Sequence, residues 1–331
     1  MMTSLEHLVT VGETMGAVVP DPVGPFEAAQ AFRVLTAGAE SNVAACAVQL
    51  GLSSSWASRL GDDPAGRRVL ATIAGYGVDV SRVELTSGAP TGLLLKDPGP
   101  DATRVHYYRS GSAASRLSLA DLDGLLADLP AATALHTSGV TAALSESCAA
   151  LVDRIVVGRA TGAALVSIDV NHRPALWGGR SAPAELHRLA DASDVCFVGL
   201  DEASALWGSA TPEAVRQTLP NPRLLVVKDG AVGATVFEGD RRIRVAALAT
   251  LVREPVGAGD AFAGGFLAAY ARSGDSRFAA RVGHVSAGAV LRSSDDVATQ
   301  PSLESLEELL ALSDSQWTEW AQTPPSRGEA L

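Results

Sequence analysis

The chain has 331 residues, room for one large α/β domain or two small ones, and its 47% hydrophobic content is ample for a sizeable core. A formal charge of -11 and a pI near 5.0 argue against nucleic acid or an anionic membrane surface as the main partner, so an anionic substrate would need a local cationic pocket. Cys46, Cys148 and Cys196 are widely spaced with no C-x-x-C pair, which indicates neither a disulfide framework nor a zinc site and points to buried thiols in a reducing cytoplasm.

From the N-terminus, residues 1–11 carry Glu6 and His7 where a signal peptide would need a basic end and an unbroken apolar run. No window approaches a membrane span. Residues 7–12 read as a short buried strand, and Asp21-Pro22-Val23-Gly24-Pro25 is turn chemistry joining two extended pieces. Ala37-Gly38-Ala39-Glu40-Ser41-Asn42 is a glycine turn opening a helix whose apolar face holds Val43, Cys46, Ala47 and Leu50, with Gly51 as its stop. A strand is predicted over 54–59, then a helix that starts near Pro64 and runs to Tyr76. Residues 91–96 and 104–109 flank Asp97-Pro98-Gly99-Pro100-Asp101, a hairpin signal. From Leu119 onward helices near 120–129 and 146–159 alternate with strands at 134–138 and 164–169, followed by strands at 195–198 and 224–227. That alternation predicts βαβ units and a parallel sheet, with ligands gathered at the carboxyl ends of its strands. Helices are predicted over 278–292 and 302–312, and the segment after about Trp320, with Pro324-Pro325-Ser326, reads as disordered.

The most informative stretch is Glu254-Pro255-Val256-Gly257-Ala258-Gly259-Asp260. Pro255 forbids regular structure just before Gly257, while 258–270 has helical spacing with Phe262, Phe266 and Tyr270 four apart. The first N–H groups of a helix lack partners within it and its N-terminus is electropositive, so Gly257, Ala258 and Gly259 could cradle an oxyanion while Asp260, in the first turn, takes a proton. On pattern alone the segment reads equally as a loop with a helix cap. Neither lysine of the chain, Lys96 or Lys228, lies in a P-loop context, and Phe262 stands where a dinucleotide fingerprint needs its third glycine.

Residues 254–267 resemble the C-terminal signature D-[TP]-x-G-A-G-D of the PfkB (ribokinase-like) carbohydrate kinases, and 37–44 resemble that family's G-G-A-E-x-N-V-A segment. The resemblance runs over roughly 8–310 in the family's order. It implies an α/β ribokinase-like three-layer sandwich, a mostly parallel central sheet flanked by helices, plus a small β-sheet lid. The core would comprise 1–12, 36–88 and 117–315, the lid 13–35 and 89–116, and 316–331 would be a disordered tail.

For the site, the resemblance implies that Gly257, Ala258, Gly259 and Asp260 form the anion hole for the transferred phosphoryl group, with Asp260 as the base. Gly38 and Asn42 would hold sugar hydroxyls, and Asp296 would contact the sugar. Tyr107-Tyr108-Arg109, followed by G-S-A-x-S, resembles the 2-keto-3-deoxygluconate kinases, so Tyr107, Tyr108 and Arg109, with Arg173 of Asp169-Val170-Asn171-His172-Arg173, would bind a sugar acid. Arginine can grip a carboxylate through two parallel charge-assisted hydrogen bonds, and tyrosine offers a hydroxyl and a flat apolar face. Read without the resemblance, this stretch is a sheet strand with an exposed arginine. Asn171 would lie near the nucleotide phosphates, Lys228, Gly230 and Gly233 would skirt ATP, His284 would border the adenine, and Glu202 would help hold Mg2+ through water. Departures are Glu254 for the usual aspartate, Leu94 for a tyrosine, Ala37 for a glycine and Gly199 for a polar residue.

The implied activity is cytoplasmic, ATP-dependent phosphorylation of the terminal (6-) hydroxyl of 2-keto-3-deoxygluconate or a related sugar acid. ATP and Mg2+ would be the cofactors, with K+ as a candidate third, and the chain would pair with itself through the lid. A fructokinase or other ketose kinase is the alternative, and a sugar-acid or nucleotide binding protein without turnover the third reading.

Overall fold

A computed structural model describes residues 5–99, 103–302 and 304–323. In chain order its strands are β1 (His7–Val11), β2 (Met15–Pro20), β3 (Phe32–Ala37), β4 (Ser53–Gly61), β5 (Val83–Thr86), β6 (Leu93–Pro98), β7 (Thr103–Tyr108), β8 (Thr133–Ser138), β9 (Leu165–Asp169), β10 (Val195–Gly199), β11 (Leu224–Asp229), β12 (Gly233–Glu238) and β13 (Arg241–Ala246). The large sheet has the order β13-β12-β11-β10-β9-β8-β1-β4-β5. It is parallel from β11 to β5, and β12 and β13 return antiparallel at one edge.

Apolar runs such as Leu224-Leu225-Val226-Val227 are what a strand buried on both faces requires. The pleat sorts them: Val195, Phe197, Leu224 and Val226 enter one core, while Cys196, Val198, Leu225 and Val227 enter the other. The first core also takes in helices Ala39–Gln49, Ala258–Ser273 and Ser276–Leu291; the second takes in Glu146–Val156, Ala182–Ala192 and Leu200–Trp207. Helix Ala258–Ser273 is buried at every position from Ala261 to Ala271, because it lies between its neighbours rather than on the surface. Gly264 and Gly265 permit that packing: a Cβ at Gly264 would stand 2.7 Å from the Val43 carbonyl oxygen, and one at Gly265 2.5 Å from the Ser286 hydroxyl.

The small sheet has the order β3-β2-β6-β7. Two antiparallel hairpins, β2–β3 and β6–β7, join through parallel pairing of β2 with β6. Of the turn predicted at 97–101, Pro100 and Asp101 lie outside the described residues.

Several predicted elements come out differently. The helix near 120–129 is only a 3-10 turn, Leu119–Asp121, and a single α turn, Leu122–Leu125. Gly124 weakens it, and Asp128 at φ 51 followed by Pro130 ends it. The helix at 302–312 is broken into Glu304–Leu306 and Glu308–Ala311, with Leu303 outside the described residues. The disordered tail from 316 is corrected over its first part, because Asp314–Gln322 is a helix capped by Ser313. It is anchored by Trp317, 1% exposed, whose indole N–H donates to the Ala246 carbonyl at 3.0 Å. Residues 324–331 lie outside the described residues.

Candidate active site

The strand order turns around between β8 and β1, so the carboxyl ends of β9, β10 and β11 open onto a common crevice beside the lid. A cavity of 450 Å³ occupies it. The sheet contributes Asp169 and Lys228, the helix after β10 contributes Glu202, the lid contributes Leu94, Tyr107 and Arg109, and the floor is the 257–260 turn.

That floor is built as its glycine demands. Gly257 is the N-cap of helix Ala258–Ser273 at φ 84, a left-handed conformation costly to any residue with a Cβ, and a Cβ there would also come within 2.6 Å of the Asp296 carbonyl oxygen. The amide of Ala258 makes a long contact of 3.4 Å to the Pro255 carbonyl, while those of Gly259 and Asp260 begin the helix and have no partner within it. The electropositive end of a long helix thus faces the cavity. The Lys228 ammonium adds to this positive field, 3.6 Å from where a Cβ on Gly259 would lie.

Asp260 stands in this first turn, its Oδ2 accepting from the Asn42 side-chain amide at 2.9 Å. Burial is the main influence on its carboxyl and, with the Asp169 and Glu40 carboxylates, outweighs the Asn42 hydrogen bond and Lys228, so the pKa is pushed up from 3.8 to about 7. A carboxylate poised near neutrality can both accept and release a proton.

Three acceptors around it lack donors. Asn42 Oδ1, Asn171 Oδ1 and Asp296 Oδ2 are buried and have no hydrogen-bond partner, and all three residues line the cavity. Each such atom costs about 1–3 kcal/mol unless a donor arrives. Such acceptors can take hydrogen bonds from water or from a hydroxyl-bearing ligand. Asn171 also carries φ 38, a conformation asparagine adopts more readily than most residues and one that holds it at the rim of β9.

The charged side chains are already engaged with one another. Lys228 donates to Asp169 Oδ2 at 2.6 Å; burial pulls its pKa down, but Asp169 and Glu202 more than compensate and the ammonium is held more firmly than usual. Glu202 accepts from the Gly199 amide at 2.9 Å and the His172 amide at 3.0 Å, and burial, together with Asp169, raises its pKa. Arg109 donates Nε–H to Glu13 Oε2 at 2.6 Å and its Nη2 pairs with the same oxygen, so much of its charge is balanced inside the protein. Arg173 is 55% exposed, its Nη1 3.7 Å from Glu202 Oε1. The expected pair of guanidinium groups therefore converges on the cavity with one member committed to Glu13 and the other loosely held.

Of the residues singled out in the sequence, Gly38, Asn42, Tyr107, Arg109, Asn171, Arg173, Glu202, Lys228, Gly257, Gly259, Asp260 and Asp296 meet at this cavity. Tyr108 does not. Adjacent strand residues point to opposite faces, so with Tyr107 paired opposite Leu94 and facing the cavity, Tyr108 turns outward and is 63% exposed. Ala258 is not among the lining residues, and neither are Gly230 or His284. Gly233 lies with Asp229 at a second cavity of 220 Å³. His284 is buried beside it, its Nε2 3.2 Å from the Val245 carbonyl and its ring edge-on to Phe262; burial lowers its pKa to about 4, so the imidazole is neutral.

Two residues were missed by sequence reasoning. Glu13, which directly follows the glycine ending β1, gave no signal that it would partner Arg109. Lys96 is 3% exposed and its ammonium lies 2.8 Å from Asp296 Oδ1 and 3.6 Å from Glu254 Oε2. As one of only two lysines in the chain, at the end of the predicted strand 91–96, it was the available clue. It also decides the fit of K+: the carboxylates of Glu254 and Asp296 already share an organic cation, so this pair does not suit an inorganic one.

Residues 5–303 match the model of the pfkB family carbohydrate kinases. The chain is 36% identical over 313 residues to a 2-dehydro-3-deoxygluconokinase of Thermoproteus tenax, covering 92% of this chain and 94% of that one. A fructokinase-1 of Oryza sativa subsp. japonica is 31% identical over 268 residues, 79% of this chain and 82% of that one. Among solved structures, a PfkB protein from Polaromonas sp. JS666 superposes with a TM-score of 0.78 at 36% identity, over 92% of this chain and 99% of that one. With a ribokinase-like architecture and a match spanning nearly its whole length, the chain belongs to the pfkB family of carbohydrate kinases and is an ATP-dependent sugar kinase.

Proposed function

We propose that the protein transfers the γ-phosphoryl group of ATP to the terminal (6-) hydroxyl of 2-keto-3-deoxygluconate or a closely related sugar acid. The observation that carries this reading is the meeting, in one cavity, of a carboxyl with a pKa near 7, a helix N-terminus and three buried acceptors without donors. The sugar's hydroxyls would supply the missing donors to Asn42, Asn171 and Asp296. Its terminal hydroxyl would give its proton to Asp260 as the oxygen bonds to phosphorus and the bond to the departing ADP oxygen breaks. Charge on the transferring group would be met by the amides at 257–260 and by Lys228, so positioning and electrostatics supply most of the acceleration. Among the described residues no group of three or more His, Cys, Asp or Glu is arranged to hold a metal. Mg2+ would therefore arrive with the nucleotide phosphates, where it neutralises their charge, with Glu202 reaching it through water. The nucleotide would extend from the 257–260 turn past Asn171 and Lys228 towards Gly230, Gly233 and the buried His284.

Selection of an acid rests on Arg109 and Arg173 at the cavity wall, with Tyr107 beside them; the Arg109 guanidinium lies over the Tyr107 ring at 5.8 Å. The engagement of Arg109 with Glu13 favours a second reading, a neutral ketose such as fructose, since a balanced arginine attracts a carboxylate less. Following ADP release with the sugar acid and with fructose, for the wild type and Arg173→Ala, separates the two. The acid reading expects the acid to be preferred and that preference to shrink by roughly tenfold in the variant, the worth of about one charge-assisted contact. Preference for fructose with an indifferent variant supports the ketose. For assembly, we propose pairing through the lid, whose outer face exposes Phe32 and Tyr108; size-exclusion chromatography of wild type and Tyr108→Asp tests it.

A further inference from the structure

The buried joint between the lid and the 257–260 turn carries a cation of the chain's own. β6 places Leu94 and Lys96 on the same face, two residues apart, so that as Leu94 lines the cavity Lys96 reaches over its edge. There the ammonium meets two carboxylates from two separate loops, Asp296 at 2.8 Å and Glu254 at 3.6 Å. Both acids belong to the machinery of the turn. Glu254 Oε1 accepts from the Val256 amide at 3.3 Å, bracing the residue before Gly257, and the Asp296 carbonyl is the atom a Cβ on Gly257 would strike at 2.6 Å. The other oxygen of Asp296, Oδ2, is one of the three acceptors without donors. One positive charge thus sets the distance between a buried acid, Asp296, and a partly buried one, Glu254, and through them the position of the anion cup and of a sugar contact.

Without that charge the two carboxylates would repel at low dielectric, and the Asp296 loop would be free to move away from Gly257. We infer that the Lys96 ammonium serves as a built-in monovalent cation at the Glu254–Asp296 joint, so that this kinase works without K+, and that Lys96 is a positioning residue for the phosphoryl-binding turn. The relation is between charge and geometry only; Lys96 touches neither reacting atom.

The test replaces KCl by tetramethylammonium chloride at constant ionic strength, for wild type and Lys96→Ala, reading both melting temperature and ADP release. For the wild type both should be unchanged on the swap, within about twofold in rate. Lys96→Ala should melt lower, and K+, NH4+ or methylammonium, but not tetramethylammonium, should raise its melting temperature and recover at least tenfold of its lost kcat, with a smaller effect on KM. A wild type whose rate rises tenfold or more with K+, or a variant whose melting ignores all small cations, overturns the inference. The inference depends on the kinase reading only for its rate arm, since the melting arm stands whatever the sugar and whether or not turnover is found. If Lys96→Ala does not fold, the cation dependence of the wild type and of Lys96→Met decides the matter.

Discussion

The raised pKa of Asp260 makes its ionisation a load on the fold, and Asp260→Asn should lift it. In the folded protein the carboxyl titrates at about 7, against 3.8 when unperturbed. Between these values the folded state holds a proton that the unfolded chain has released, so stability falls as pH rises from about 4 to about 7 and then levels off. Worked through the linkage relation, the ionisable group costs about 2 kcal/mol at pH 5 and about 4 kcal/mol at pH 8, as upper values given the open face of Asp260 on the cavity. Asparagine keeps an acceptor for the Asn42 amide while removing the charge. With an unfolding entropy of about 0.7 kcal/mol/K for a chain this long, the melting temperature of Asp260→Asn relative to wild type should rise by a further 3–4 °C, approximately, between pH 5 and pH 8. Thermal melts of both proteins in a common set of buffers measure this. A difference that is constant across that range, or larger at pH 5, would show that the carboxyl is not perturbed by burial as argued.

Three further outcomes follow from the same geometry. Because the proposed base would work deprotonated, kcat/KM for the sugar should climb with pH through about 7, the value set by burial of Asp260; a flat profile from pH 5.5 to 8.5 would contradict it. Gly257→Ala must hold φ 84 and push against Asp296, which should displace the amide cup and lower kcat by about 100-fold or more, at a stability cost of about 1–2 kcal/mol measured by denaturant melts. Tyr107→Phe should raise KM for the sugar by about 3–10-fold through loss of one hydrogen bond, whereas Tyr108→Phe, on the opposite face, should leave it unchanged.

The layered fold was legible because its signals are periodic and local: apolar runs at β10 and β11, glycine turns before helices, and the helical spacing after Gly257. The residues that converge on Asp260 were legible as motifs, and the sheet topology explains why segments as distant as Asn42 and Asp296 meet there. What failed depended on partners far away in sequence. Trp317 looked like part of a polar tail until the Arg281 guanidinium and the Ala246 carbonyl gave it a bed, the cation lying 5.2 Å from its ring. Tyr108 was chosen with Tyr107 by resemblance to a family motif, although the pleat can aim only one of two neighbours inwards. Glu13 has no local signature and Lys96 only its rarity in the chain; their roles come from long-range charge pairing across the lid.

The account turns on Asp260 as the proton acceptor for a sugar hydroxyl. The most direct measurement is turnover of 2-keto-3-deoxygluconate with MgATP by wild type and Asp260→Asn, with the product's phosphorylated carbon identified by NMR. The account predicts phosphate on the 6-oxygen and a loss of roughly 100-fold or more in kcat for the variant, with nucleotide binding retained. A variant that turns over at close to the wild-type rate would contradict it.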